Sequence, residues 1–327
     1  MLFTASIGVF ASNNENTNSK ANTVPQNNIQ VYPFAHKDKW GYMDNSGVVI
    51  IEPKYDIAYN FSDGLALVGN IIERHGDRNK YLYGYINDKG KVIIPIRYHR
   101  ATSFENGNAV AMIYKDDYGD DFICYWFRPN GKSFLRITES HFDEVGLYVE
   151  PFSDGLAMIE VDGYMPYYGY IDRKANIAIN MTYHGAHSFR EGLAAVGTYK
   201  AEYFVNMKWG YINKNGTIII SQKFDAVGDF ASGLAPVMVG NKWGYIDKQG
   251  NYKIPLTYQD ARSFSDGLAA VQINGRWGFI DKDNKFVIRP QYRDVGDYVN
   301  GLIMVRNSKG NFMYYIDRDN NKIVPKI

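Results

Sequence analysis

Cysteine is almost missing from this sequence, Cys124 being the sole one among 327 residues. Neither a disulfide framework nor a cysteine metal cluster can form within one chain, so stability has to come from packing. Net charge is missing too. Lys and Arg total 36 against 35 for Asp and Glu, which removes the basic field that draws a protein to nucleic acid or to an anionic membrane. No stretch approaches the roughly 18 continuous apolar residues of a transmembrane helix. Phosphate-cradling glycine loops, a nucleophile elbow and a helical H-E-x-x-H are likewise absent. No cofactor, no nucleic acid and no membrane span are therefore expected.

What is present is aromatic and turn-rich. With 27 Tyr, 31 Gly and 45% hydrophobic residues, the composition suits many short strands joined by tight turns and excludes disorder of the whole chain. The first residues, MLFTASIGVFA, hold a short apolar stretch, and Val9-Phe10-Ala11 has the small-residue spacing of a signal-peptidase site. Residues 1–11 are read as a candidate signal peptide, with export to the periplasm, cell surface or medium as the consequence. A frayed N-terminus on a cytoplasmic protein is the alternative. Residues 12–30 contain seven Asn and almost nothing apolar, the signature of a flexible leader.

Residues 31–327 repeat. KWGYMDNSG at Lys39 returns as LYGYINDKG at Leu82, YYGYIDRKA at Tyr167, KWGYINKNG at Lys208, KWGYIDKQG at Lys242 and RWGFIDKDN at Arg276. Worn copies begin at Ile123 and Phe312, which makes about eight. A second string, FSDGLAL at Phe61, recurs at Phe104, Phe152, Phe189, Phe230, Phe264 and Tyr298. From the glycine of the first string to the aromatic of the second is 20 residues in six copies and 27 in the third; the return step varies between 14 and 23. Each unit thus has a fixed part and one loop that accepts insertions.

Within a unit such as LAAVQINGRWGFIDKDNKFVIRPQY, three apolar runs are separated by Asn-Gly and Asp-Lys-Asp-Asn, so a three-stranded antiparallel meander is expected. The fourth residue of the second turn is Gly47, Gly90, Gly131, Gly216, Gly250, Asn284 or Asn320, residues that tolerate a left-handed backbone. Ala175 breaks the rule, and Asn176 beside it is expected to shift the turn by one. Alternation puts Trp243 and Tyr245 on one face with Gly244 and Ile246 on the other, and a neighbouring unit is expected to pack over the glycine. Pro53 and Pro290 suit the end of an edge strand. Counting strands at the two ends of the array favours an open, stacked β-solenoid or superhelix; a closed β-propeller is the alternative.

The run KWGYID, a D-x-x-G-type turn, I-x-P-x-Y-D and F-S-D-G-L-A-x-V together resemble the WG repeat family of bacterial repeat proteins. The resemblance covers about Val31 to Ile327, and Cys124-Tyr125 and Met313-Tyr314 depart from it. It implies an all-β repeat and carries over no catalytic residue. Choline-binding cell-wall repeats pair the same residue types, but their unit is about half as long, which sets them aside.

Residue by residue, the chemistry is sparse. Asp63, Asp154, Glu191 and Asp266 precede the glycine of F-x-x-G, and an acid repeated at one position reads as a turn residue, since catalysis needs one asymmetric constellation. The repeated Trp residues and Cys124 read as packing residues. His184 and His187 lack an evident third metal ligand. The acids between Asp116 and Asp121 do not have EF-hand spacing, and a solvated hairpin tip is expected there rather than a calcium site. Tyr164, Tyr167, Tyr168, Tyr199, Tyr203 and Phe204 sit on inserted hairpin loops and are the candidate ligand-binding residues, with packing of one loop on another as the bland reading. The expected role is a non-catalytic scaffold presenting an extended surface to a protein or cell-envelope partner. The alternative is a carbohydrate or cell-wall binding module that uses these aromatics.

Overall fold

The computed structural model describes residues 30–75, 78–115, 121–138, 147–161, 166–199, 207–306 and 313–326. The candidate signal peptide and the leader, up to residue 29, lie outside them. Every regular element among the described residues is a strand, and no helix is long and apolar enough to cross a membrane.

The strands form eight separate antiparallel sheets in chain order, over residues 31–55, 57–98, 100–138, 147–183, 185–224, 226–258, 260–292 and 294–323. The first has three strands and the others four, each strand hydrogen-bonded to the next in sequence. The chain divides into two compact units. The first holds sheets 1 to 3 together with Pro325–Ile327, and the second holds sheets 4 to 8. Within the first, Lys326 pairs in parallel with Val48 and donates its N–H to the Gly47 carbonyl at 2.7 Å.

Sheet 6 shows why these residues make this element. Its last three strands, Ala235–Val239, Lys242–Ile246 and Tyr252–Tyr258, are the expected meander, and the two-residue strand Ala226–Val227 precedes them. Three strands therefore become four in seven of the eight sheets. A two-residue strand carries no period of its own, which is why the pattern of apolar residues does not announce it. Between the short strand and the next lies the F-x-x-G segment, whose central residues take a left-handed backbone: Ser232 at φ 57° and Gly233 at φ 83°. That is the two-residue hairpin turn of matching twist, closed by pairing of Ala231 with Leu234.

Strand pairing stays inside each sheet, and neighbouring sheets meet through side chains. Tyr245, Ile254 and Tyr258 of sheet 6 form one core with Phe264, Ala269, Val271 and Ile280 of sheet 7, while Ile246, on the opposite face, packs with Tyr211, Ile220 and Phe224 of sheet 5. The alternation expected along the Trp-Gly strand is thus present. An open β-solenoid would instead run its hydrogen bonds from unit to unit. Consecutive four-stranded meanders packed face to face are the blades of a β-propeller, so the expectation of a solenoid is corrected.

Two further expectations change. What sits over Gly244 is its own sheet: a Cβ there would lie 2.5 Å from the Ile254 carbonyl oxygen and 2.8 Å from the Pro255 carbonyl carbon. The outer strand bulges over the glycine, so that Trp243 and Tyr245 face Tyr258 and Ile254 with extra residues between. Pro255 lies in that bulge on an edge strand that continues to Tyr258. Sheet 3 supplies the contrast, because Tyr125 replaces the glycine and the pairing from Ile123 to Trp126 is regular. The turn at Ala175 is not shifted; Ala175 itself takes φ 61° and donates its N–H to the Asp172 carbonyl.

Candidate functional site

The residues that repeat are absorbed by the scaffold. In five sheets the buried Tyr of the Trp-Gly-Tyr string donates its hydroxyl to a main-chain carbonyl 17 residues on: Tyr42 to Tyr59, Tyr85 to Thr102, Tyr170 to His187, Tyr211 to Gly228 and Tyr245 to Arg262, at 2.7–2.9 Å. Burial raises these hydroxyls well above the usual tyrosine range at Tyr85, Tyr170, Tyr211 and Tyr245, which keeps them neutral donors. The repeated acids tie one hairpin turn to the next. Asp63, Asp154 and Glu191 accept the N–H of Gly107, Gly192 and Gly233, and Asp266 that of Asn300, so these carboxylates belong to turns.

The carbonyl held by each tyrosine belongs to the residue two places before the aromatic of F-x-x-G. That residue and the next read Tyr59-Asn60, Thr102-Ser103, Glu150-Pro151, His187-Ser188, Gly228-Asp229, Arg262-Ser263 and Gly296-Asp297. The main chain of the first is fixed on both sides, since the N–H of Thr102, His187, Gly228 and Arg262 also bonds to the adjoining strand. Its side chain is free to differ from repeat to repeat. Here the array breaks its own symmetry.

In the second unit these positions border a cleft of about 580 Å³ lined by Arg190, Gly228, Asp229, Pro236, Trp243, Arg262, Ser263 and Asp297, among others. His187 and Arg262 carry long side chains where Gly228 between them has none, and a Cβ at Gly228 would lie 2.6 Å from the Pro236 ring. Asp229 is held by His187, whose Nδ1 is 2.7 Å from its Oδ1, and its Oδ2 lies 3.9 Å from Arg190 Nε. Arg262 donates to the Val295 carbonyl at 2.6 Å and lies over the Trp277 ring at 4.9 Å. Its guanidinium stands 3.8 Å from Asp294 and 3.9 Å from Asp297. Ser263 Oγ donates to the Asp229 carbonyl at 2.8 Å.

Of the residues singled out on the loops, Tyr164, Tyr203 and Phe204 lie outside the described residues. Tyr167 and Tyr199 are brought together across His184, with ring centroids 5.3 and 5.1 Å from the imidazole. Tyr168 is half-buried against the core of sheets 4 and 5. The acids 116, 117 and 120 also lie outside; Asp121 pairs with Lys115 at 2.7 Å. Among the described residues no group of three His, Cys, Asp or Glu is placed to hold a metal. Cys124 is fully buried, and burial pushes its thiol up. Trp277 is buried, whereas Trp243 is half-buried at the cleft. Sequence reasoning missed Arg190, Asp229, Arg262 and Asp297, although each stands within two positions of the aromatic of F-x-x-G, where residue type changes from repeat to repeat.

No curated protein matches the sequence. Among solved structures the chain is similar to a eukaryotic initiation factor, with a TM-score of 0.54 at 10% identity over 90% of this chain and 84% of that one. It is similar to apo AztD from Citrobacter koseri, with a TM-score of 0.52 at 10% identity over 90% and 94% of the two chains. A prolyl endopeptidase gives a TM-score of 0.52 at 10% identity, over 81% of this chain and 47% of that one. Identities this low show the fold alone. In sequence, the WG containing repeat matches residues 40–70, 83–118, 168–197, 209–243, 243–277 and 277–310, more than half of the chain. On those repeats the chain belongs to the WG containing repeat family.

Proposed function

We propose that this chain is a non-catalytic binding scaffold whose protein partner engages the cleft of the second unit. The observation that carries the reading is the division of labour within the repeat. Tyrosine, glycine and turn acids hold the frame, while residues that differ between repeats are gathered at one concave, mixed-charge site. The polar groups there favour binding over acyl transfer. A serine nucleophile would need its hydroxyl on the imidazole, but Ser263 Oγ is bonded to the Asp229 carbonyl.

Panning a library of displayed peptides and host protein fragments against the full chain, with an Asp229→Asn variant in parallel, tests this. Ligands enriched by the parent, weakened by the variant and recovered unaltered by mass spectrometry are expected. Cleavage of the ligands, or equal enrichment by both proteins, would overturn it. A second reading, glycan binding, is favoured by the grouping of Tyr167, His184 and Tyr199, since exposed rings stack on sugars. A glycan array that retains the parent and not Tyr167→Ala would select it. Export belongs to the same proposal; N-terminal sequencing of protein from its host is expected to begin near Ser12, and Met1 retained on cytosolic protein would remove that part.

A further inference from the structure

The residue that follows the last aromatic of each outer strand has a task set by its position in the repeat. It reads Asp56, His99, His184, Asp225, Gln259 and Arg293. In three of these places an oxygen of its side chain caps a main-chain N–H at the far end of the hairpin that follows. Asp56 takes that of Ile71 at 3.0 Å, Asp225 that of Gly240 at 2.8 Å and Gln259 that of Gly275 at 2.9 Å. His99 does the same through Nδ1, which accepts the N–H of Tyr114 at 3.1 Å, and its ring stacks on the Tyr114 ring with centroids 5.5 Å apart. His184 stands at this position too, but its Nδ1 is buried and bonds nothing. Among the described residues the cap made by a histidine therefore belongs to sheet 3.

Histidine changes the chemistry of the cap. A carboxylate or an amide oxygen accepts at any pH above the acid range, whereas Nδ1 accepts only while it carries no proton, and a histidinium has two donors and no acceptor. Protonation would leave the ring against Tyr114 but set two N–H groups against each other. The charged neighbours oppose protonation as well. Lys80 of sheet 2 bears on His99 while its ammonium lies 3.1 Å from Glu73, and Arg100, next in the chain, lies over the Tyr114 ring at 5.7 Å. Arg97 is bonded to the Tyr98 hydroxyl, and Lys115, beyond Tyr114, is paired with Asp121 at 2.7 Å. Burial and the charge of Lys80 hold the imidazolium below the usual histidine range. The cap is therefore fully present above the ordinary histidine pKa of about 6.5, and is lost as pH falls through the lower value of the folded state. We propose that His99 is a pH-sensitive latch on the hairpin of strands Ala109–Tyr114 and Phe122–Phe127, pinning its Tyr114 end when neutral and releasing that end in mild acid. The latch lies in the first unit and does not depend on the reading of the cleft.

Amide hydrogen exchange of the full chain, followed residue by residue by NMR at pH 7.5 and pH 5.0 and corrected for intrinsic rates, tests it. Protection of the Tyr114 amide is expected to fall about tenfold at the lower pH, with a midpoint that matches the titration of the His99 ring in the same sample. Protection of Gly240 and Gly275, capped by Asp225 and Gln259, should change less than about twofold. His99→Gln, which places the amide of the Gln259 cap here, should keep Tyr114 protected at both values, and His99→Ala should leave it poorly protected at both. Equal protection of Tyr114 at the two pH values in the parent would overturn the inference. So would a midpoint away from that of His99, a fall shared by Gly240 and Gly275, or a His99→Gln variant that responds to pH as the parent does. The midpoint and the two glycine amides are read on the parent alone, so the test stands even if neither variant folds.

Discussion

At the scale of single residues, the tyrosine hydroxyl of the repeat is the clearest case of a group whose role is set by geometry. Tyr245 is buried, donates to the Arg262 carbonyl at 2.8 Å and packs against Phe264 with ring centroids 5.1 Å apart. Removing only the oxygen leaves the ring in place and strands a carbonyl. Tyr245→Phe is expected to cost about 1–2 kcal/mol in urea denaturation, with little change in slope. Sheet 7 already uses Phe279 at this position, so the ring alone supports the fold. Asp247 shows the opposite kind of group, one held charged near the surface. Burial pushes its carboxyl up, but N–H bonds from Asn251, Lys253 and Gln249 outweigh that and bring it down to about 2. The folded state thus binds the proton less readily than the unfolded one, and stability present above the ordinary carboxylate pKa is lost as pH falls towards 2. Asp44, Asp172 and Asp317 are lowered by similar turn hydrogen bonds. The melting temperature should fall between pH 4 and pH 2, and less steeply in Asp247→Asn; equal slopes would show that the turn carboxylates do not set the acid limit.

At the scale of the element, the glycine of the Trp-Gly string is what lets the outer strand bulge. Gly41, Gly84, Gly169, Gly244 and Gly278 each have an outer-strand carbonyl where a Cβ would stand. Gly244→Ala is therefore expected to cost about 2–4 kcal/mol, more than the ordinary penalty of an alanine in a strand, because backbone rather than a flexible side chain must yield. Thermal melting checks this; a change below about 1 kcal/mol would show that the bulge relaxes freely. Much of the blade was legible in advance. The left-handed turn positions, the alternation of Trp243 and Tyr245 against Ile246, and the turn role of Asp63 and Glu191 all follow from residue type and period. The short first strand was not, since Ala226–Val227 has no period to read, and the glycine clash was assigned to the wrong partner because sequence spacing cannot say which backbone comes close. The charges of the cleft were passed over for a related reason. Asp229 and Arg262 are unremarkable singly and stand out only when repeats are superposed on Phe230 and Phe264.

At the scale of the molecule, the same strings serve an open array and a set of propeller blades equally well, so the choice rests on where hydrogen bonds and buried faces go. In an open array each unit touches only its sequence neighbours and the end units can be removed with local loss. Here strand pairing closes within each sheet, and sheet 6 buries one face against sheet 5 and the other against sheet 7. The last described residues also serve the first unit, through the Lys326 N–H on the Gly47 carbonyl and the pairing of Lys326 with Val48. Ending the chain after Asn274 removes the outer two strands of sheet 7 and all of sheet 8. Ile280 then leaves the core formed by Tyr245, Ile254, Tyr258, Phe264 and Val271, and Ala269–Ile273 becomes an unpaired edge. The same cut strips sheet 1 of its contact with Lys326. Exposed apolar face and exposed strand edge together favour association between chains. The fragment is expected to be insoluble, or soluble only as aggregates in size-exclusion chromatography, under conditions where the full chain is monodisperse. A monomeric fragment with a single cooperative melt and a β-type circular dichroism spectrum would mean that the sheets stand independently, and would return the molecule to the open array.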